Sequence, residues 1–136
     1  MIGNNKLFDA FVSDHRWAVL TSLRKDGRPV SSLVAYAREG DQLVVSTPGA
    51  TFKRLTIERD ARVNMCVLSS SEPFNYVSIE AEAAIETDHL IESTRRILLK
   101  IAGSGFEQPD DLEAWLKQQA RVILRISPQR VSGVIR

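Results

Sequence analysis

Ser46 and Thr47 place two hydroxyls side by side, Gly49 follows, and Lys53 and Arg54 stand just beyond. Hydroxyls, a glycine that lets backbone come close, and a lysine at the start of a helix suit an anion such as a phosphate. Residues 52–59 read as a short helix with Phe52, Leu55 and Ile57 partly inward and Thr51 as its N-cap. The free N–H groups and positive dipole end of that helix then point to the place where Lys53 adds charge. On residue types alone, a phosphate site and an ordinary strand–turn–helix with a solvated lysine weigh equally.

The rest of the sequence holds little that reacts. His15 and His89 fall at expected helix ends with no cysteine or carboxylate at metal-ligand spacing, so they read as surface or cap histidines and no metal is expected. Cys66 lies between Met65 and Val67 and reads as an inert, buried thiol. As the single cysteine it cannot form an intramolecular disulfide, which fits a reducing, cytoplasmic location. No G-x-S-x-G, Walker or dinucleotide fingerprint occurs, and no Ser/His/Asp set is suggested. Side-chain nucleophiles are therefore disfavoured, whereas chemistry carried by a bound cofactor stays open.

Charge narrows the partners. Lys plus Arg is 18 and Asp plus Glu is 17, a net +1, so nothing pulls the chain generally toward nucleic acid or an anionic membrane. An anionic ligand must be held by a local cluster. No apolar run reaches the about 18 residues of a membrane span. The stretch from Met1 to Lys6 lacks a basic region followed by an apolar one, so no secretory signal is expected.

Strands must position the candidate phosphate stretch. With 136 residues, 43% of them hydrophobic, residues 1–136 fit one domain with a modest core. Residues 6–14 read as an amphipathic helix. Residues 17–23 and 30–36 form a hairpin around Asp26-Gly27, and residues 42–47 extend it into an antiparallel meander after a turn at 38–41. Residues 62–68 are a fourth strand. Residues 75–85 alternate, with Val77, Ile79, Ala81, Ala83 and Ile85 on one face and Tyr76, Ser78, Glu80 and Glu82 on the other. Helices are expected at 88–102 and 110–119, and a last strand at 121–126. The loop at 103–110 reads as a connector, with a lid or pocket wall as the lesser alternative. The sum is a mainly β protein, a small closed or partly open antiparallel barrel of six strands with peripheral helices.

Several motifs then resemble one family. The run at 19–29, ending Lys25-Asp26-Gly27-Arg28-Pro29, resembles the opening hairpin of the pyridoxamine 5'-phosphate oxidase-like, flavin-binding split-barrel proteins. Phe52-Lys53, followed by Arg59-Asp60-Ala61-Arg62-Val63, is similar to their lysine helix and next strand, with Ala61 in place of the usual proline. Pro73-Phe74-Asn75-Tyr76-Val77 resembles the start of their long fifth strand, and residues 121–134 their closing strand. The order of these motifs covers nearly the whole chain. It is similar to the actinobacterial branch, many of whose members use the deazaflavin coenzyme F420 rather than FMN.

The resemblance implies a Greek-key-like, six-stranded antiparallel split β-barrel. It implies a homodimer with two cofactor sites at the subunit interface. Lys53 would contact the cofactor phosphate, assisted by Ser46 and Thr47, with Thr51 and Phe52 beside it. Ser31, Ser32, Leu33 and Val34 would lie along the flavin ring, largely through backbone groups. Tyr76 would approach the ring or substrate from the partner chain. The implied activity is an oxidoreductase that passes hydride between F420 or FMN and a small organic substrate, with F420 favoured. The alternative is a non-enzymatic protein that binds a flavin, haem or another planar ligand. Relatives often carry arginines two residues before and after the lysine, and Arg-Gly where this chain has Glu80-Ala81. Here Thr51 and Leu55 stand at the flanking positions, and Arg54 points elsewhere on a helix. The clamp expected from sequence is thin, with Lys53 carrying most of its charge.

Overall fold

A computed structural model describes all 136 residues, Met1 to Arg136. Strands β1 (Trp17–Leu23) and β2 (Pro29–Ala35) form the expected hairpin, in register from Trp17 opposite Ala35 to Leu23 opposite Pro29. Gly27 in its turn takes a φ of 86°, which glycine adopts without a side-chain clash.

The chain does not continue as a meander. After Tyr36 it enters a short strand, β3 (Ala37–Glu39), and then β4 (Gln42–Thr47). Strands β5 (Arg62–Leu68), β6 (Tyr76–Glu86) and β7 (Val122–Val134) complete one antiparallel sheet. Its order is β2-β1-β5-β6-β7-β4-β3, so there are seven strands rather than six, and β4 lies between β7 and β3, away from β2. The two edges of this order are joined by Tyr36 alone. The sheet must therefore curl into a half-barrel to bring them together.

Tyr36 is the pivot that splits the strand expected at 30–36. Its side chain is fully buried and its hydroxyl donates to the Val12 carbonyl at 2.6 Å. Its backbone N–H bonds Arg16 O rather than a neighbouring strand. Periodicity runs straight through such a residue, because the side chain still points inward.

Strand β7 continues eight residues past the end expected from periodicity, to the limit that the family resemblance implied. Pro128 hid this continuation. It stands opposite Ala81 at a register shift between Glu80 and Ala81, where a residue without an N–H is tolerated.

Helix α1 (Lys6–Asp14) is capped by Asn5, whose side-chain oxygen accepts from the N–H groups of Leu7 and Phe8. Helix α2 (Phe52–Arg59) buries Thr56 and Ile57, while Phe52 and Leu55, expected partly inward, are exposed. Helix α3 (Ile91–Lys100) begins later than residue 88, after His89 in a left-handed conformation at φ 54°. Helix α4 (Leu112–Gln118) is capped by Asp111. His15 ends α1, with Nδ1 2.7 Å from Phe11 O and its ring stacked on Phe11.

The core lies inside the curl, where Val63, Met65, Val67, Val77, Ile79 and Leu124 meet. Cys66 points to the other face of β5 and is half-buried, not fully buried as expected. Burial still pushes its thiol pKa up, which disfavours the thiolate. No helix is long and apolar enough to cross a membrane.

Candidate functional site

The pairing of β4 with β7 builds the site. It sets Ser46 opposite Ile123 and Thr47 opposite Val122, so the residue just before β7, Arg121, falls beside the end of β4. The Arg121 Nε donates to Ser46 Oγ at 2.9 Å, and Nη2 donates to Ser46 O at 3.2 Å. Nη1 bonds the side-chain oxygen of Gln119. The guanidinium carbon lies 4.1 Å from the centre of the Trp115 ring, a cation–π stack that holds the group flat.

Lys53 reaches the same cleft from the first turn of α2. Burial lowers its pKa, and the like charge of Arg121 lowers it further. Burial also pulls Arg121 down to about 10, which leaves it charged at neutral pH. Neither cation pairs with a carboxylate; the ion pairs of the molecule lie elsewhere. Two half-buried positive charges with hydroxyls beside them and no counter-charge have the chemistry to attract an anion.

A tight turn holds α2 in place. The Gly49 N–H donates to Gln119 O at 3.2 Å, and a Cβ on Gly49 would sit 2.3 Å from Ala120 O. The turn thus presses on the link between α4 and β7, the same link that presents Arg121. Gly49→Ala is expected to destabilise by about 1–3 kcal/mol, the scale of overpacking, and to weaken anion binding by shifting Lys53 from Arg121. Thermal melts and a binding titration on one sample read both effects. Behaviour like the parent protein would mean the turn is not tight. A second brace is the buried bond between Ser22 Oγ and Thr56 Oγ1, 2.7 Å, which ties α2 to β1.

Thr51 stands at the N-cap position, but its hydroxyl does not cap the helix. It donates to Pro48 O and meets Thr47 Oγ1, both at 2.9 Å. The amides of the first turn of α2 are left without a side-chain acceptor, which adds to the pull on an anion. Arg54 donates to Gly49 O at 3.2 Å and lies 3.5 Å from Glu58, so it braces the turn instead of joining the cations.

The structure divides the remaining sequence candidates. Ser46, Thr47, Leu33 and Val34 line the cleft that Lys53 enters, a space of about 190 Å³. Ser32, Thr51 and Phe52 line a second pocket of about 310 Å³ that Lys53 also borders. Ser31 faces away, 2.8 Å from Thr21 Oγ1, and lines neither. Tyr76 is exposed at the start of β6, between Leu68 and Val134, and lines neither space in its own chain.

Sequence reasoning missed Arg121 as a site residue and took it only as a strand start. The loop at 103–110, read as a connector, lends Phe106 to the cleft wall and is tied to α3 by the bond from Gln108 Nε2 to Leu98 O, 2.9 Å. Trp17 and Trp115 complete that aromatic wall.

The family described as pyridoxamine 5'-phosphate oxidase matches residues 5–135. The chain belongs to the pyridoxamine 5'-phosphate oxidase family. Among curated proteins none matches it. Solved structures share the family fold. A conserved hypothetical protein from Mycobacterium tuberculosis has a TM-score of 0.78 at 22% identity, over 98% of this chain and 84% of that one. An F420 reductase has a TM-score of 0.77 at 20% identity, over 94% and 98%. A heme binding protein from Mycobacterium smegmatis has 0.74 at 17% identity, over 93% of this chain and 52% of that one. At these identities the likeness is one of fold, and the pyridoxamine 5'-phosphate oxidase-like half-barrel is the common frame.

Proposed function

We propose that the chain is a cytoplasmic oxidoreductase that binds F420 or FMN and passes hydride to or from a small organic substrate. The observation that carries this is the pair Lys53 and Arg121, two half-buried cations that share a cleft with Ser46 and have no carboxylate. Such a pair fits the phosphate that both cofactors carry. The bound flavin or deazaflavin supplies the hydride chemistry. The chain supplies the rest. Lys53 and Arg121 neutralise the phosphate, and Arg121 fixes the Ser46 hydroxyl. The backbone of β2 from Ser32 to Val34 offers an edge for the ring. Trp17, Phe106 and Trp115 give the cleft an aromatic wall.

A second copy of the chain completes the site in this reading. The cleft in one chain is smaller than the about 300–1,000 Å³ of typical ligand pockets. Leu68, Tyr76 and Val134 stand in register on adjacent strands and are all exposed, an apolar surface that a homodimer would cover. Tyr76 then serves the partner's site, where its hydroxyl can give a proton.

The likeness to an F420 reductase supports F420 over FMN, and the second cation answers the missing arginines of α2. The likeness to a heme binding protein favours one alternative, a binder of planar ligands without turnover. Reduced F420 and reduced FMN, each mixed with quinones, enones and tetrapyrroles, separate the two. Turnover with at least one acceptor is expected. Tight cofactor binding with no turnover across the panel would make the protein a binder.

A further inference from the structure

The cleft contains one polar group that phosphate binding leaves unused. Thr94, in the first turn of α3, is fully buried, and its Oγ1 has no hydrogen-bond partner. Its backbone N–H is already bound to Leu90 O at 3.0 Å. Buried hydroxyls nearly always find a partner, because an unpaired one carries its desolvation cost with no return. Thr94 lines the same cleft as Lys53, Arg121 and the aromatic wall of Trp17, Phe106 and Trp115.

These parts describe a ligand. The aromatic wall takes an apolar ring, the cation pair takes an acidic group, and the lone hydroxyl takes a polar substituent on the ring. We infer that Thr94 is a binding residue whose Oγ1 bonds a carbonyl or hydroxyl on the apolar body of the anion held by Lys53 and Arg121. The inference rests on the reading of Lys53 and Arg121 as an anion site and adds the group recognised beyond the anion. The polar substituent belongs to the ring of the cofactor or to an aromatic acid bound as substrate. A threonine hydroxyl both donates and accepts, so it serves either a carbonyl or a hydroxyl.

Thr94→Val keeps the shape and removes the hydroxyl. With no bond to lose, the free protein should keep its Tm or gain a little. Affinity for the matching ligand should fall about tenfold, the scale of one buried hydrogen bond. Thr94→Ser should retain the affinity. Titrations with FMN and F420 form one arm, and titrations with 4-hydroxybenzoate and benzoate form the other. A loss for FMN or F420 assigns the contact to the cofactor. A loss for 4-hydroxybenzoate but not benzoate assigns it to an aromatic acid. If Lys53→Ala changes nothing while Thr94→Val still weakens one probe, the hydroxyl contact stands and the anion reading fails. Unchanged affinities for all four probes in Thr94→Val would overturn the inference, and a lowered Tm beside them would show that the hydroxyl works inside the fold.

Discussion

Lys53→Ala is expected to weaken binding of the phosphate-bearing cofactor by about 1–3 kcal/mol, the scale of a charge-assisted hydrogen bond. Binding should persist at the reduced level, because Arg121 and the amides of α2 remain. The fold should not suffer. In the folded chain Lys53 has a lowered pKa, so its protonated form is held less tightly there than in the unfolded chain. Removing it relieves burial of a charge and repulsion from Arg121, and the Tm should hold or rise. The same shift sets the pH dependence. The protonated lysine binds the anion, so affinity should fall as pH rises toward the alkaline side, earlier than for an exposed lysine, and Lys53→Ala should erase that step. Isothermal titration across pH measures both effects. An unchanged dissociation constant would place the phosphate elsewhere. Arg121→Ala makes a poorer probe of charge alone, since it also frees Ser46 and the Trp115 face.

Ile79→Ala is expected to destabilise by about 2–5 kcal/mol, the range for truncating a large core side chain. Ile79 is fully buried at the centre of β6, opposite Met65 on β5 and Val131 on β7. Its loss opens a cavity between three strands that cannot close without moving the sheet. Glu82→Ala, three positions along the same strand but exposed and outside every ion pair, should change stability by no more than about 0.5 kcal/mol. Urea midpoints for the two variants test the assignment of faces. Equal destabilisation would contradict the packing of β6.

What the chain shows locally, its sequence shows too. The Asp26-Gly27 hairpin, the alternation from Val77 to Ile85 and the lysine in the first turn of α2 depend on neighbours a few residues away. What hid in the sequence depends on distant strands. Arg121 meets Ser46 only because β7 pairs with β4, 75 residues apart in the chain. Tyr36 ends a strand because it anchors to Val12, not because its own neighbourhood breaks the pattern. Thr94 carried the marks of an ordinary inward helix position, and only the packing of α3 over the cleft reveals that its hydroxyl is unpaired. Thr51 reads as a cap by type and place, yet its hydroxyl donates to Pro48 O and accepts from Thr47 Oγ1 instead of capping the helix.

The claim at the centre is that Lys53 and Arg121 hold the phosphate of a flavin or deazaflavin. Each cofactor can be compared with the same ring system lacking the phosphate: FMN with riboflavin, and F420 with the deazaflavin riboside. For the native cofactor the phosphate form should bind tighter, and Lys53→Ala should narrow that difference by about 1–3 kcal/mol while Arg121 keeps the rest. Equal affinity for both forms, in the parent protein and in the variant, would contradict the account.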